Sequence, residues 1–359
     1  MQSIKLENIE KWYAGNFESN LSGLRILYDD ISPLIKNLKF EKKLLGHSTN
    51  GIPIHKIKIG KGPKRILIWS QMHGNESTGT KALFDLFNFL GDLSQNSEIV
   101  KSILEECTLI CIPMLNPDGA ITYTRENAAN IDLNRDAVDK KGVESNLLRS
   151  VLDNFNPHFC FNLHDQRTLF NVSGFENPAT ISFLAPSEDI TREVTKGRTE
   201  SMSVIVAMNG LLQKAILNHV GRYTDEFYPT ATGDIFQKLG HNTVLIEAGH
   251  FPNDYDRELT RKYNFFAMLQ GIYFLATTND YDNYQSYFDI PNNDKLFFDI
   301  IYSNVNTNDS SDLMDVGVLF KYKIINNKLV RFEHIERTGK LNYYYAHSKI
   351  DLKGKLYNQ

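Results

Sequence analysis

Apolar and polar residues are patterned so that strands and helices are predicted in alternation between residues 42 and 279. Short apolar runs rich in β-branched and aromatic residues are typical of buried strands. They lie at residues 65–72, 108–115, 158–163, 182–185 and 243–246. Longer stretches with helical spacing of apolar side chains lie at residues 78–90, 145–155, 200–218 and 256–275. This alternation predicts the α/β class, as a three-layer sandwich.

A hairpin signal lies at the start of this region. The apolar stretches at residues 43–48 and 52–60 are joined through Thr49-Asn50-Gly51, which is a turn sequence. An antiparallel pair is therefore expected beside the parallel strands. The predicted sheet is mixed but mostly parallel.

The residues before and after this region show other patterns of apolar side chains. Residues 1–41 carry apolar side chains at helical spacing and predict a helical lead-in. Beyond Tyr287 the chain turns to short apolar runs separated by turn signals such as Asn326-Asn327, which predict a small β domain. We therefore expect a lead-in at 1–41, an α/β domain at 42–280 and a β domain at 288–359.

The composition and net charge of the chain limit the kinds of partner that it is expected to bind. The chain is 42% hydrophobic and 23% charged, which is typical of a globular protein. Its net charge of -4 and the lack of a strongly basic stretch predict no nucleic-acid partner. The amino terminus lacks a basic-then-apolar pattern, and no run reaches the roughly 18 apolar residues of a spanning helix. We expect a cytoplasmic protein without a membrane partner, in which Cys107, Cys111 and Cys160 are buried reduced thiols.

Two histidines follow apolar strands and could share a metal ion with a carboxylate. His73 comes directly after the strand at 65–72, and Glu76 lies three residues later beyond Gly74. His164 ends the strand at 158–163 in the same way. Two imidazoles and one carboxylate make up a catalytic zinc site. Taken singly, the first pair also fits a surface ion pair, and His164 also fits a hydrogen-bonded structural residue.

The segment between these histidines is rich in arginine and asparagine. Arg135 can form a bidentate hydrogen bond with a carboxylate, and Asn134 can donate beside it. Asp132 is suited to orient a metal-binding histidine. A solvated loop with salt bridges is the alternative. Farther along, Glu247 follows a buried apolar strand, where it would serve either as a general base beside a metal or as a structural carboxylate.

The order of these motifs resembles the zinc carboxypeptidase family, the carboxypeptidase A-type metallopeptidases, over roughly residues 43–277. The motifs that carry the resemblance are His73-Gly74-Asn75-Glu76, Asn116-Pro117-Asp118-Gly119, Arg125-Glu126-Asn127, Asp132-Leu133-Asn134-Arg135, His164 at one strand end and Glu247 at another. The ordered set is far more specific than any one of them.

The resemblance implies a role for each matching residue. His73, Glu76 and His164 would bind one zinc ion per chain. Arg125 would polarise the scissile carbonyl, and Glu247 would be the general base. Asn134 and Arg135 would hold the terminal carboxylate of a peptide substrate. The expected enzyme is a zinc metallocarboxypeptidase, a hydrolase that cuts the C-terminal amide bond.

Some features of the family are not placed by the sequence. Family peptidases often carry a mobile tyrosine before the general base, and both Tyr223 and Tyr228 fit that position. The residue that selects the substrate side chain would lie near 232–234, where Asp234 favours a basic side chain. His250, three residues after Glu247, is expected to line the cleft without binding metal, and the remaining histidines are expected to be structural or exposed.

Two other functions compete with the peptidase. Aspartoacylase and succinylglutamate desuccinylase are related zinc deacylases that act on N-acyl amino acids. They share the motifs that begin at His73 and at Asp132, and the segment Glu247-Ala248-Gly249 favours them. The Asn116–Gly119 motif and the long region between His164 and Glu247 favour the peptidases. A binding module without catalysis is disfavoured because all expected ligands and catalytic residues are present. In both enzymatic cases the substrate carries a free carboxylate.

Overall fold

The computed structural model of the chain describes residues 3–94, 97–307 and 310–357. The helices are α1 (Leu6–Asn16), α2 (Tyr28–Asn37), α3 (Thr78–Gly91), α4 (Ser97–Glu106), α5 (Pro117–Thr122), α6 (Val143–Phe155), α7 (Lys196–Ala215), α8 (Thr232–Lys238) and α9 (Glu258–Thr277). The first strands are β1 (Glu41–His47), β2 (Pro53–Gly60), β3 (Lys64–Trp69), β4 (Cys107–Ile112), β5 (Phe159–Asp165), β6 (Asn171–Val172) and β7 (Ile181–Leu184). The later strands are β8 (Val220–Arg222), β9 (Asn242–Ala248), β10 (Asn293–Asp294), β11 (Phe297–Thr307), β12 (Ser310–Ile325), β13 (Lys328–Gly339) and β14 (Tyr345–Asp351).

The main sheet has eight strands in the order β1-β2-β4-β3-β5-β9-β7-β8. Strands β4, β3, β5 and β9 are parallel to one another. The expected hairpin of β1 and β2 extends the sheet antiparallel at one edge, whereas β7 pairs antiparallel with β9 on the other side and is followed by the parallel edge strand β8. The expected α/β class with a mixed, mostly parallel sheet is confirmed.

Alternation along the central strands explains the three layers. In β3, Ile66 and Ile68 belong to one buried apolar cluster, whereas Leu67 and Trp69 belong to another on the opposite face. Successive side chains of a strand point to opposite faces, so a strand that is apolar throughout must be covered on both. Helices α3, α7 and α9 contribute to the larger cluster, and α6 contributes to the smaller one.

The expected core strands at residues 65–72, 108–115, 158–163, 182–185 and 243–246 correspond to β3, β4, β5, β7 and β9. The three cysteines are buried and free, and burial raises the pKa of the Cys107 thiol to about 12. Among the described residues, every helix is too short or too polar to cross a membrane.

The chain beyond α9 forms a separate sheet with the order β13-β12-β11-β14. Strands β11 and β14 are parallel, and the other pairs are antiparallel. Leu169, in the loop after β5, packs with Phe298, Leu319 and Leu341 of this sheet region. The C-terminal sheet is thereby joined to the segment that follows His164. The exact division into a lead-in, an α/β domain and a β domain stays a prediction.

Candidate metal centre and substrate cleft

The segment after β3 makes a tight turn that places His73 and Glu76 before α3. A Cβ atom on Gly74 would lie 1.9 Å from the backbone of Gly119, so only glycine fits there. Asn116 fixes the neighbouring loop, because its amide nitrogen donates to the carbonyls of Met72 at 3.2 Å and Arg125 at 3.4 Å. The predicted motifs at 73–76 and 116–119 therefore pack against each other.

The structure brings His73, Glu76 and His164 together. His73 Nδ1 lies 2.8 Å from Glu76 Oε1, and His164 Nδ1 lies 2.9 Å from Glu76 Oε2. The two Nδ1 atoms are 3.1 Å apart. His73 and His164 are buried, and Glu76 is nearly so. One carboxylate thus faces two imidazoles at the carboxyl ends of adjacent parallel strands, where α/β sheets bind ligands.

The donor set fits a zinc ion. Three ligand atoms, one from each residue, lie within 4.8 Å of one another. Two imidazole nitrogens and a carboxylate oxygen are the ligands that zinc takes in catalytic sites. Burial lowers the pKa of His73, but Glu76 and Asp132 raise it to about 9 overall, whereas burial lowers the pKa of His164. A cation between two imidazoles and a carboxylate would replace these proton-sharing contacts.

Asp132 connects a candidate ligand to a candidate catalytic residue. Its Oδ1 atom lies 3.2 Å from His73 Nε2, and its Oδ2 atom accepts a hydrogen bond from Arg125 Nε at 2.8 Å. Arg125 Nη1 lies 3.6 Å from Glu76 Oε1, at the edge of the three-residue cluster. As expected from the sequence, Asp132 contacts a candidate ligand through the nitrogen that faces away from the cluster.

Two residues behind Glu76 were not expected from the sequence. Asp165 donates its backbone N–H to Glu76 Oε2 at 3.1 Å, and its carboxylate accepts the hydroxyl of Thr78 at 2.7 Å. Arg257, nearly buried, pairs with Asp165 at 3.1 Å and also donates to the carbonyls of Gln166 and Ala248. The position of Asp165 directly after a strand-end histidine was the available signal. Asp165 therefore contacts Glu76 directly, and Arg257 holds Asp165 in place.

Glu247 and the predicted carboxylate-binding pair line one cleft. Glu247 lies in β9 opposite His164 in the strand register. A cleft of about 670 Å³ is lined by Glu247, Asn134 and Arg135 among others. The guanidinium of Arg135 is exposed and stacks over the ring of Tyr228 at 5.4 Å. Burial raises the pKa of Glu247 to about 8.

Asn134 is held with its amide nitrogen left to donate. The backbone N–H of Thr232, at the start of α8, donates to Asn134 Oδ1 at 3.2 Å. The backbone N–H of Asn134 donates in turn to Asp132 Oδ1 at 2.9 Å. The loop that carries Asn134 and Arg135 is therefore anchored both to the candidate metal centre and to α8.

Both candidate tyrosines reach the same cleft. Tyr223 donates its hydroxyl to Gln166 at 2.7 Å, whereas Tyr228 contacts Arg135. Asp234, in the first turn of α8, accepts the backbone N–H of Tyr228 at 3.1 Å. Burial raises the pKa of Asp234 to about 6. Helix α8 was not predicted, since seven residues with an internal glycine give too short a periodic pattern.

A second cavity is lined in part by residues of the candidate metal centre. It has a volume of about 410 Å³ and is lined by Glu76 and Arg125 on one wall and by Lys321 and Tyr322 of β12 on another. The C-terminal sheet therefore forms part of the surroundings of the site. His250 lines this cavity and is not among the residues that line the cleft shared by Glu247, Asn134 and Arg135.

Comparison with known proteins supports the resemblance seen in the sequence. Residues 39–196 match the family model described as zinc carboxypeptidase. The resemblance to zinc carboxypeptidases is confirmed. A probable carboxypeptidase 2 of Trichophyton verrucosum is 30% identical over 104 residues, which are 28% of this chain and 20% of that protein. The carboxypeptidase SOL1 of Arabidopsis thaliana is 35% identical over 102 residues, 27% of this chain and 21% of that protein.

Solved structures share the fold at low identity. A metallo-carboxypeptidase from Burkholderia cenocepacia aligns with a TM-score of 0.55 and 17% identity, covering 68% of this chain and 66% of its own. Carboxypeptidase A from Helicoverpa armigera gives a TM-score of 0.55 at 14% identity, covering 76% of this chain and 81% of its own. The chain spans about a fifth of the length of the curated relatives that it matches. These comparisons give no specific support to the deacylase alternative.

Proposed function

We propose that the protein is a zinc-dependent carboxypeptidase, a hydrolase that removes the C-terminal residue of a peptide or peptide-like substrate. The observation that carries this proposal is the cleft shared by Glu247, Asn134 and Arg135. It places a basic group suited to a terminal carboxylate in the same cavity as the candidate general base. Family membership of the matched segment supports hydrolysis of an amide bond.

His73, Glu76 and His164 would hold one zinc ion per chain. Zinc in such a site supplies Lewis-acid catalysis and activates water for attack on a carbonyl. Asp132 keeps Nδ1 of His73 directed at Glu76, because it occupies Nε2. Asp165 orients Glu76 through its backbone N–H. The chain therefore contributes a pre-organised donor set.

Glu247 is the group that moves the proton in this proposal. Its carboxylate takes a proton from the attacking water and passes it to the nitrogen of the leaving amino acid. Burial and the charge of Glu76 raise the pKa of Glu247 when the site holds no cation, and a zinc ion held by His73, Glu76 and His164 would favour the carboxylate form that accepts a proton. Glu247 lies in register with His164 on the neighbouring strand, so it is next to the candidate metal centre.

Two arginines near Glu247 would stabilise negative charge on the substrate. Arg125 is held by Asp132 beside His73 and Glu76, where its Nη1 group can donate to a carbonyl oxygen as negative charge develops. Arg135 and Asn134 would receive the terminal carboxylate, with the guanidinium making a bidentate contact. This arrangement makes the enzyme act at chain ends.

The substrate is a peptide or peptide-like molecule with a free carboxylate. Asp234 lines the same cleft and favours a basic side chain at the substrate's last position. No nucleic-acid or membrane partner is proposed. A cytoplasmic location stays a prediction from the sequence.

The experiment compares a peptide that has a free carboxyl terminus with its C-terminal amide, using wild type, Arg135→Ala and Arg135→Lys. Wild type should cut the free peptide and release single residues. Loss of a charge-assisted pair costs about 2–5 kcal/mol, so the amide and the Arg135→Ala variant should each lower kcat/KM by at least about tenfold. Equal cleavage of both peptides with release of internal fragments would refute exopeptidase action.

A substrate panel separates the peptidase from the deacylase. The zinc-loaded protein would be assayed with dipeptides, longer peptides and N-acetyl and N-succinyl amino acids. The proposal expects turnover of peptides to exceed that of the N-acyl amino acids. Turnover confined to the N-acyl amino acids would assign the deacylase reaction instead, with the same zinc ligands.

A further inference from the structure

Three titratable side chains meet where the loop after β9 contacts the C-terminal sheet. His250 lies in that loop, Asp299 lies in β11 and His347 lies in β14. The pairing of β11 with β14 puts Asp299 and His347 side by side, because their neighbours on each strand are matched in register. One ligand atom from each of the three residues lies within 4.8 Å of the other two.

Each of the three residues has a buried polar atom without a hydrogen-bond partner in the described part of the chain. These atoms are His250 Nδ1, Asp299 Oδ1 and His347 Nε2. His250 is 5% exposed and Asp299 is 1% exposed. A buried polar atom without a partner is costly, and three such atoms in one cluster require a common explanation.

The side chains are held in place by their surroundings. Asp299 Oδ2 accepts the backbone N–H of Phe320 at 2.7 Å, and the hydroxyls of Thr168 and Tyr255 lie near the carboxylate, but Oδ1 has no partner with hydrogen-bond geometry. His250 and His347 stack with their ring centroids 5.2 Å apart, and Tyr255 and Phe297 cover their edges. The cluster is therefore a rigid set of donors and not a group of mobile surface residues.

The cluster supplies one negative charge, and the neighbouring arginine is held by other partners. Asp299 supplies a carboxylate, and the nearby Arg257 is already paired with Asp165 and with two backbone carbonyls. An imidazole binds a metal through the lone pair of a ring nitrogen, and His250 Nδ1 and His347 Nε2 are the nitrogens left without a partner.

We infer that His250, Asp299 and His347 form a second metal site, which binds Zn²⁺. Two imidazoles and one carboxylate are a donor set for zinc, whereas Ca²⁺ and Mg²⁺ take oxygen ligands. Three protein ligands leave one tetrahedral position for water. His250 and Asp299 also line the cavity of about 410 Å³ beside Glu76 and Arg125, which gives that position access to solvent.

The site explains how the C-terminal sheet is fixed to the α/β unit. One ligand comes from the α/β unit and two come from the sheet, so a bound ion crosslinks them. Lys321 and Tyr322 on the same sheet line the cavity next to Arg125. The second ion therefore holds one wall of that cavity in place, and its role is positional. This positional role would be the same for a peptidase and for a deacylase.

The test counts zinc ions in variants that remove one site at a time. Apo-protein would be titrated with Zn²⁺, and bound metal measured by mass spectrometry after gel filtration. Wild type should bind two ions per chain, His73→Ala/His164→Ala one, His250→Ala/His347→Ala one, and the fourfold variant none. The exposed histidines His47 and His158 provide a matched double-alanine control, which should still bind two.

The variant His73→Ala/His164→Ala keeps the second site intact, so the result does not depend on the folding of a second-site variant. If this variant shows native circular dichroism but binds no zinc at micromolar metal, the second site is refuted. Adding Zn²⁺ should raise its Tm, and Asp299→Asn on that background should weaken binding at least about tenfold. Unchanged zinc affinity in Asp299→Asn would also overturn the assignment.

Discussion

His73 Nε2 lies 3.2 Å from Asp132 Oδ1, while the other ring nitrogen of His73 faces Glu76 and His164. When Nε2 donates to the carboxylate, Nδ1 carries the lone pair, so Asp132 selects the tautomer that can bind a metal. The same carboxylate also holds Arg125. A single side chain thus sets both a candidate ligand and the candidate carbonyl-polarising residue.

Asp132→Ala should weaken zinc binding about 10- to 100-fold, because His73 loses the partner that orients it. Arg125 should also lose its position, so kcat should fall even at saturating zinc. Competition with a chelator measures the affinity, and steady-state kinetics measures kcat. Asp139→Ala, an exposed carboxylate on the same loop, is the control. Unchanged zinc affinity in Asp132→Ala would contradict the orienting role.

Glu247→Gln should retain zinc but lose about 10²- to 10⁴-fold in kcat, since the amide matches the carboxylate in size and cannot accept a proton. Glu226→Gln, an exposed residue that lines the same cleft, should leave turnover unchanged. Metal analysis and circular dichroism verify that both variants are intact. Activity of Glu247→Gln within a few-fold of wild type would remove Glu247 from the mechanism.

The strand-end residues of the candidate site could be predicted because the apolar pattern marks where each strand ends and the parallel sheet brings those ends together. His73, His164 and Glu247 each follow an apolar run that fills a central strand. In a parallel sheet those strand ends lie at one edge, so residues distant in sequence become neighbours. The family resemblance carried by the ordered motifs implies the role of each residue. The spacing of the residues alone does not.

Other parts of the site depend on tertiary placement that no local pattern encodes. Asp165 and Arg257 pair across the fold, and the sequence gives no reason to match these two among many charged residues. His250, Asp299 and His347 come from three segments whose contact depends on how the C-terminal sheet docks. The sequence gives His347 no paired ligand at a suitable spacing, and it places His250 near Glu247, which is the expected general base. The sequence pattern therefore predicts that neither histidine binds a metal, with His250 lining the cleft and His347 in a structural or exposed position.

Asp85→Ala should destabilise the fold by about 3–5 kcal/mol, because it leaves the guanidinium of Arg261 buried without its bidentate partner. Both side chains are fully buried, and Arg261 contacts Asp85 at 2.6 and 2.7 Å. Asp85 also accepts the backbone N–H of Glu18, so it joins α3 and α9 to the N-terminal segment.

Urea unfolding followed by circular dichroism measures the free-energy change. Asp153→Ala is the control, since Asp153 forms a half-exposed pair with Arg149 on α6 and should contribute about 0.5 kcal/mol or less. A loss in Asp85→Ala no larger than in Asp153→Ala would show that the buried pair does not stabilise the native state.

The contribution of Asp225 to stability should disappear in acid. Asp225 pairs with the fully buried Arg198 at 2.8 Å and with Arg192. Burial raises the pKa of Asp225, but the two guanidinium groups lower it further, so its native pKa lies below the ordinary value of about 3.9. The native state therefore binds fewer protons at this group than the unfolded state.

A group with a depressed native pKa stabilises the fold above its unfolded pKa and loses that contribution as pH falls through the native value. Asp225→Asn should thus cost about 1–3 kcal/mol at pH 7, as expected for a hydrogen bond between charged groups. The difference between wild type and variant should shrink below about pH 4. Urea unfolding at pH 7, 5 and 3 measures it. A difference that stays constant across this range would mean that Asp225 stabilises the fold through its shape and not through its charge.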